Sequence, residues 1–274
     1  MICYNGNYID NISINSENRG FKYGDCFFET IKCYNGLPIF WESHYFRMAS
    51  SFGMLKMIPP HEFDIEYFEN LIKKLLIKNN LDTCSARIRI SFYRVGTGYY
   101  NPLENGVDYI IESEYLSNHH YKLINEGLSM GIYKDNLIAA TPLSSIKTNS
   151  RLINILSSIY AQENSINDCL LLNNNKMVTE SISGNIFIVN KTQIFTPPLS
   201  DGCINGVLRT ELINMNKFNI KERSLSVVDV LNADEIFITN VIQGLKWVST
   251  INHEKYTNKT TLKIVNFINS KCLI

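Results

Sequence analysis

Apolar residues recur along the chain at two spacings, and these spacings predict its helices and strands. From Phe63 to Ile77 they recur every three or four residues, which predicts an amphipathic helix with one buried stripe. Segments rich in Ile, Phe and Tyr predict strands over 26–34, 86–93 and 107–113. Asn35-Gly36, a strong hairpin signal, follows the first strand and precedes a helix predicted over 42–52.

The second half of the chain shows the same mixture. A helix is predicted from Asn149 to about Glu163, with Leu152, Ile155, Leu156 and Ile159 facing inward. Further strands are predicted over 128–133 and 235–239, two hairpins over 169–180 and 185–196, and helices over 207–215 and 261–268. Polarity rises between the halves. The pattern therefore predicts a two-domain α+β or α/β fold, with an N-terminal domain over 1–116, a linker over 117–126 and a C-terminal domain over 127–274.

Composition excludes several classes of protein. Of the 274 residues, 45% are hydrophobic and 19% charged, a balance typical of globular proteins rather than disordered ones. The 26 basic and 26 acidic residues cancel and form no basic run, so we expect neither nucleic acid nor an anionic membrane surface as a partner. No apolar run reaches 18 residues, so we expect no membrane-spanning helix.

The cysteines and histidines point to a reduced protein without a metal. Seven cysteines are scattered along the chain without a Cys-x-x-Cys pair, which is typical of free thiols in the cytoplasm. The first ten residues lack the charged and apolar regions of a signal peptide. The five histidines show no metal-ligand spacing, so we expect no metal site.

Four separate segments carry the chemistry that a pyridoxal phosphate site needs. Lys147 follows a loop of small residues and supplies an amine that can form an imine with the cofactor aldehyde. Arg47, in His44-Tyr-Phe-Arg47, supplies a permanent cation for the phosphate. Glu180 can hold a proton on the pyridine nitrogen, and Gly206 opens a helix whose N-terminus suits an anion.

The order and spacing of these segments resemble the class IV aminotransferase family, the pyridoxal phosphate enzymes of fold type IV. The resemblance runs over nearly the whole chain, from Asn5-Gly6 to Asp234-Glu-Ile-Phe-Ile-Thr-Asn240. It implies a D-amino acid aminotransferase-like fold with pyridoxal 5'-phosphate between the domains. It also implies a homodimer in which the active site lies near the subunit interface.

The resemblance implies a role for each matched residue. Lys147 would carry the cofactor and move the Cα proton, Arg47 would bind the phosphate, and Glu180 would face the pyridine nitrogen. Ile204 would pack on the ring. The backbone of four residues would complete the phosphate site, namely Val207 and Leu208 after Gly206, and Asn240 and Val241. Many relatives have hydroxyl residues at two of these positions, so here we expect backbone contacts only.

The substrate side is less sharply defined by the sequence. We expect a small-molecule substrate, an amino acid that reacts at Cα. Candidate substrate residues, taken from positions that approach the cofactor in relatives, are Tyr23, Thr30, Arg89, Arg94 and Arg151. Either Arg89 or Arg94 could bind a substrate carboxylate.

The family includes branched-chain aminotransferases, D-amino acid aminotransferases and 4-amino-4-deoxychorismate lyases, and local motifs favour the lyase. Leu152 replaces the tyrosine that branched-chain aminotransferases place five residues after the lysine, and the segments 205–209 and 239–240 resemble 4-amino-4-deoxychorismate lyases. Ser150 departs from the lyase pattern, which has asparagine there. We therefore expect a lyase that releases p-aminobenzoate and pyruvate. The alternatives are an aminotransferase for branched-chain or D-amino acids with 2-oxoglutarate, and a non-catalytic binding protein.

Overall fold

The computed structural model describes residues 1–272. Backbone contacts divide these residues into two compact units. The first unit contains Met1–His119 together with Lys147–Ser150, and the second contains His120–Ile146 and the chain from Arg151 onward. The division between His119 and His120 falls inside the predicted linker, 117–126. The lysine segment groups with the first unit, whereas the sequence placed it in the C-terminal domain.

The first unit is built on one antiparallel sheet. Within the described residues the strand order is β2-β1-β6-β5-β3-β4. The strands are β1 Ile2–Tyr4, β2 Asn7–Ile9, β3 Cys26–Tyr34, β4 Leu37–Pro38, β5 Ser85–Arg94 and β6 Val107–Leu116. The helices are α1 Arg19–Tyr23, α2 Trp41–Met54 and α3 Ile65–Lys78. The predicted hairpin at Asn35-Gly36 is confirmed, since Tyr34 pairs with Leu37.

The alternation of side chains decides which face of this sheet is buried. In β5 the residues Ile88, Ile90 and Phe92 are fully buried, and the residues between them are partly exposed. Helix α3 buries the predicted apolar stripe on one side, while Asp64 caps its N-terminus. The apolar face of the sheet is therefore its core face, and the other face is available for chemistry.

The second unit contains a larger mixed sheet. Its order within the described chain is β12-β11-β10-β13-β14-β7-β8-β9, with β15 paired to β14. The strands are β7 Leu128–Ile132, β8 Asp168–Leu172, β9 Val178–Ser181, β10 Asn185–Asn190, β11 Gln193–Thr196, β12 Ile220–Glu222, β13 Glu235–Asn240, β14 Gly244–Ile251 and β15 Glu254–Lys255. The helices are α4 Leu152–Glu163, α5 Val207–Asn214, α6 Val227–Leu231 and α7 Lys259–Cys272. Two short 3₁₀ helices cover Pro142–Ser145 and Leu199–Asp201.

Two predictions for the region around Lys147 are wrong. Helix α4 begins at Leu152 and not at Asn149, because 147–150 is extended and bonds to the start of β3. The apolar residues of α4 do not face inward: Leu152 is 69% exposed and Ile155 is 54% exposed. Leu156 and Ile159 are exposed as well, so α4 presents an uncovered apolar face.

In the part of the chain from residue 1 to 272, no helix has the length and hydrophobicity needed to span a membrane.

Candidate active site

The segment that carries Lys147 is held as an extra strand-like piece beside β3. The N–H of Phe28 donates to the carbonyl of Lys147 at 2.9 Å, and the N–H of Asn149 donates to the carbonyl of Cys26 at 3.2 Å. Phe27 and Thr148 form an antiparallel bridge. These backbone bonds fix the lysine on the first unit independently of its side chain.

Two cations converge on the ring of Phe28. The amine of Lys147 lies 4.7 Å from the ring centroid, and the guanidinium carbon of Arg89 lies 3.8 Å from it. The Arg89 Nε–H also donates to the Ser91 hydroxyl at 3.1 Å. Burial, and after it the like charge of Arg87, lowers the pKa of Arg89. An anion beside Arg89 would offset the cost of burying its charge.

Arg47 meets a buried carboxylate that the sequence prediction did not assign. Its Nε–H donates to Glu29 Oε2 at 2.9 Å, and its Nη2 group pairs with Glu29 Oε1. His44 Nδ1 lies 3.0 Å from the same Oε1. Glu29 is buried on β3, so it fixes the direction of the arginine on α2.

The charge of Glu29 depends on these two partners. Burial alone raises the pKa of a carboxyl group, but Arg47 and then His44 more than offset it and hold the pKa of Glu29 far below its usual range. Glu29 is therefore ionised at neutral pH. Removing it would leave a cation in a largely buried position.

In the second unit, Glu180 is buried near the end of β9. Its Oε2 accepts the backbone N–H of Ile204 at 2.9 Å, which links the carboxylate to the segment that precedes α5. Cys203 lies in the same segment, where burial raises the pKa of its thiol to about 12. Such a shift favours the protonated thiol, which is a poor nucleophile.

Helix α5 begins without a side chain on its first amides. Gly206 occupies the N-cap position with no side-chain capping bond, and Val207 opens the helix. A Cβ on Gly206 would clash with Asn185 Oδ1, whose amide group donates to the Ile204 carbonyl at 2.8 Å. Glycine is therefore needed for close packing here, and the uncapped amides suit an anion.

The turn after β13 is organised by the side chain of Asn240. Its Oδ1 accepts the N–H groups of Ile242 and Gln243 at 3.1 and 2.8 Å, and its amide donates to the carbonyl of Ser183 at 3.1 Å. Val241 is buried, and its carbonyl accepts the hydroxyl of Tyr121 at 2.6 Å. The asparagine side chain thus shapes the turn.

Arg94 is the candidate whose placement disagrees most with a substrate role. All three of its side-chain nitrogens donate within the protein. Nε donates to Asp25 at 2.9 Å, Nη2 to the Leu55 carbonyl at 2.8 Å, and Nη1 to the Lys56 carbonyl and Asn105 Oδ1. The guanidinium of Arg94 is therefore engaged by acceptors of the protein itself.

The other substrate candidates differ in accessibility. Tyr23 is exposed, with the Arg19 guanidinium 5.0 Å from its ring centroid. Thr30 is buried beside Glu29. Arg151 is half-buried and donates to the Ile146 carbonyl at 2.6 Å. Arg89 and Lys147 both contact the ring of Phe28.

Each unit by itself carries groups that suit part of pyridoxal phosphate. The first unit supplies a primary amine, Lys147, and an oriented guanidinium, Arg47. The second supplies a buried carboxylate, Glu180, and the uncapped amides after Gly206. These are the groups that an aldehyde, a phosphate dianion and a pyridinium nitrogen require. The sequence analysis predicted no role for Phe28 or Glu29. Their adjacent positions on one strand did imply that the two side chains face opposite sides of the sheet.

Comparison with known proteins agrees with this chemistry. The chain matches the family model for amino-transferase class IV over residues 26–251. It is 26% identical over 236 residues to the aminodeoxychorismate lyase of Vibrio harveyi, covering 85% of each protein. It is 22% identical over 239 residues to a D-alanine aminotransferase of Listeria monocytogenes serotype 1/2a (strain 10403S), covering 84% of this chain and 80% of that one.

Solved structures share the fold. A branched-chain amino acid aminotransferase from Escherichia coli matches with a TM-score of 0.86 at 22% identity, covering 98% of this chain and 92% of that one. The family model spans most of the chain. This protein therefore belongs to the class IV aminotransferases, enzymes of the transaminase or lyase type that have pyridoxal phosphate fold type IV.

Proposed function

We propose that this chain binds pyridoxal 5'-phosphate and acts at the Cα of an amino acid substrate, most specifically as a 4-amino-4-deoxychorismate lyase. When bound, the cofactor supplies the electron sink that makes a Cα proton acidic. Lys147 would hold the cofactor and move that proton. Arg47 and the amides of Val207 and Leu208 would hold the phosphate, with the backbone of Asn240 and Val241 beside them.

Two further residues would act on the cofactor ring. Glu180 would keep a proton on the pyridine nitrogen, because a buried carboxylate favours the positive charge there. Ile204 would pack on the ring face, and its N–H already orients Glu180.

The observation that carries the lyase proposal is Asn240. Together with Thr239 it replaces the Gly-Thr pair typical of branched-chain enzymes. Its four hydrogen bonds tie the turn after β13 to the Ser183 carbonyl and to Gln243. Leu152 adds to this, since it provides no phenol at the position five residues after Lys147. Likeness to the Vibrio harveyi lyase over 85% of the chain supports the same reading.

The second candidate is an aminotransferase for D-amino or branched-chain amino acids. Similarity to a D-alanine aminotransferase over 84% of the chain favours it. Lyase and transaminase both begin with removal of the Cα proton, so Lys147 has the same role in each. They differ in where that proton is returned and in whether an aromatic amine leaves.

We propose Arg89 as the residue that binds the substrate carboxylate. Its guanidinium and the Lys147 amine lie on the same aromatic ring, so a carboxylate on Arg89 would bring the substrate toward the lysine. Half-burial strengthens such a charge-assisted bond relative to one made in water.

We further propose a cytoplasmic homodimer. The exposed apolar face of α4 supports the dimer, because the segment from Leu152 to Ile159 contains no charged residue. Two copies of this face can pack together without placing like charges opposite each other. Free cysteines support a reducing compartment.

The test is release of pyruvate and p-aminobenzoate from 4-amino-4-deoxychorismate by the cofactor-loaded protein. Lys147→Ala should abolish release, while Lys263→Ala, at an exposed position of α7, should leave it unchanged. Release that survives Lys147→Ala would overturn the proposal. If no release occurs, a panel of amino donors with 2-oxoglutarate tests the aminotransferase.

A further inference from the structure

Asp168 is a buried carboxylate outside the set of residues already assigned to the cofactor. It begins β8 and is only 3% exposed. Its Oδ1 accepts the backbone N–H groups of Cys169 and Ile182 at 2.7 and 2.9 Å. Its Oδ2 accepts the hydroxyls of Ser183 and Ser181 at 2.8 and 3.3 Å. Four donors from two segments therefore meet on one carboxylate.

Three of these donors belong to the turn 181–184, which directly follows Glu180. Inside the turn, the Ser181 hydroxyl accepts the N–H groups of Ser183 and Gly184 at 3.2 and 3.1 Å. The Ser181 N–H donates to the Gly184 carbonyl at 2.8 Å. Hydrogen bonds of Asp168 and Ser181 thus tie the turn together.

The turn 181–184 also contacts the turn after β13, which the proposed function places beside the phosphate. The Ser183 carbonyl accepts the Asn240 amide at 3.1 Å. A Cβ on Gly184 would clash with the Thr239 carbonyl, so the backbone of the turn lies directly against the end of β13. A shift in 181–184 would therefore reach both Glu180 and Asn240.

Burying a charged carboxylate costs free energy, and a turn can form without one. Burial raises the pKa of Asp168, and the hydrogen bonds from Ser183, Cys169 and Ile182 oppose that shift. A neutral amide at this position would offer one acceptor oxygen where the carboxylate offers two. Its NH₂ group would then face two serine hydroxyls that now donate.

We propose that Asp168 is a positioning residue for the cofactor, which fixes the 181–184 turn and through it both the Glu180 carboxylate and the Asn240 turn. The inference rests on the proposed binding of pyridoxal 5'-phosphate. It assigns to one side chain outside the matched motifs the alignment of the ring end and the phosphate end of the site. Support of this kind from the second layer of residues keeps a binding site preorganised.

The test compares Asp168→Asn with Asp229→Asn. Asp229 is a matched control, because it also accepts bonds from a serine hydroxyl and a backbone N–H but caps α6. The dissociation constant for pyridoxal 5'-phosphate, the visible absorption of the bound cofactor and the melting temperature of the cofactor-free protein are measured for each. We expect Asp168→Asn to weaken cofactor binding about tenfold and to change the visible band, with partial rescue in Asp168→Glu.

The control should lower the melting temperature without changing cofactor binding. If Asp168→Asn lowers only the melting temperature, as Asp229→Asn does, the positioning role is overturned. Should Asp168→Asn fail to fold, Ser183→Ala removes one donor from an exposed residue. Weaker cofactor binding by that variant supports the inference, and unchanged binding overturns it. Wild-type protein that binds no pyridoxal 5'-phosphate would instead remove the proposed function itself.

Discussion

Two neighbouring side chains of strand β3 contact different sets of charged residues. Phe28 contacts Lys147 and Arg89, while Glu29, one residue later, pairs with Arg47 and His44. The pleat requires this division, since successive residues of a strand point to opposite faces. One strand therefore orients a predicted phosphate ligand on its core side and packs against the predicted catalytic lysine on the other.

A change at Arg89 tests the proposed carboxylate contact. We expect Arg89→Leu to raise KM by about 30-fold, or ~2 kcal/mol, with a smaller effect on kcat, because a charge-assisted bond to the substrate is lost. Arg87→Leu is the control. It lies on the same face of β5 but pairs with the exposed Glu114 at 3.1 Å. Equal effects of the two substitutions on steady-state kinetics would contradict the assignment.

A change at Glu29 tests the ion-pair cluster through its pH dependence. The folded pKa lies below the unfolded one, so the carboxylate stabilises the fold above about pH 4, and this contribution is lost as the pH falls through the folded pKa. Glu29→Gln should cost about 3 kcal/mol in urea unfolding at pH 7, because it leaves Arg47 as an uncompensated charge. The deficit relative to wild type should shrink below pH 4.

Glu114→Gln serves as the comparison for Glu29→Gln. Glu114 is an exposed partner of Arg87, and its loss should cost less than about 1 kcal/mol. Similar losses for both variants at pH 7 would show that Glu29 is not the buried counter-ion that its contacts indicate.

For single residues, the sequence predicted a role where a short motif marks the residue. It missed residues whose partners are distant in sequence. Arg47 and Glu180 were marked by short motifs. Glu29 was not, because it meets Arg47 only when β3 and α2 pack together. The contacts of Arg94 were not predictable for the same reason: its acceptors come from three separate segments of the chain.

Helix α4 shows what periodicity can and cannot establish about an element. The spacing of Leu152, Ile155, Leu156 and Ile159 correctly predicted a helix with one apolar face. The spacing cannot state what covers that face, and in the single chain all four are exposed. The start of α4 was misplaced because backbone pairing of 147–150 with β3 competes with helix formation.

A charge on the apolar face of α4 tests the proposed dimer. Ile155→Glu should convert the dimer to a monomer in sedimentation velocity, because a carboxylate would be buried without a partner. Ile77→Glu is the matched control, since Ile77 is 60% exposed on α3. A wild-type monomer, or a dimer that tolerates Ile155→Glu, would exclude α4 as the interface.

For the whole molecule, the order of elements was largely predictable, but their grouping was not. The glycine turns and apolar periodicities predicted most helices and strands to within a few residues. Strand β14 was missed, although it links β13 to β7 in the centre of the large sheet. Lys147–Ser150 joins the first unit although the chain on both sides belongs to the second. The order of elements along the chain does not predict that 147–150 groups with the first unit, because this grouping results from backbone pairing with β3.

Cofactor binding should stabilise the molecule as a whole. A ligand that binds only the folded state at 100 times its dissociation constant adds about 2.7 kcal/mol to the free energy of unfolding. For a chain of this size we expect pyridoxal 5'-phosphate to raise the melting temperature by roughly 5–10 °C in scanning calorimetry.

A lysine variant and a ligand without phosphate separate the contribution of Lys147 to this stabilisation from the contribution of the phosphate contacts. Lys147→Ala should retain a smaller shift, because Arg47 and the amides after Gly206 would still hold the phosphate. Pyridoxal, which lacks the phosphate, should give a smaller shift with wild-type protein for the converse reason. Equal shifts with pyridoxal and its phosphate would contradict the proposed phosphate site, and a shift unchanged in Lys147→Ala would contradict the proposed covalent attachment.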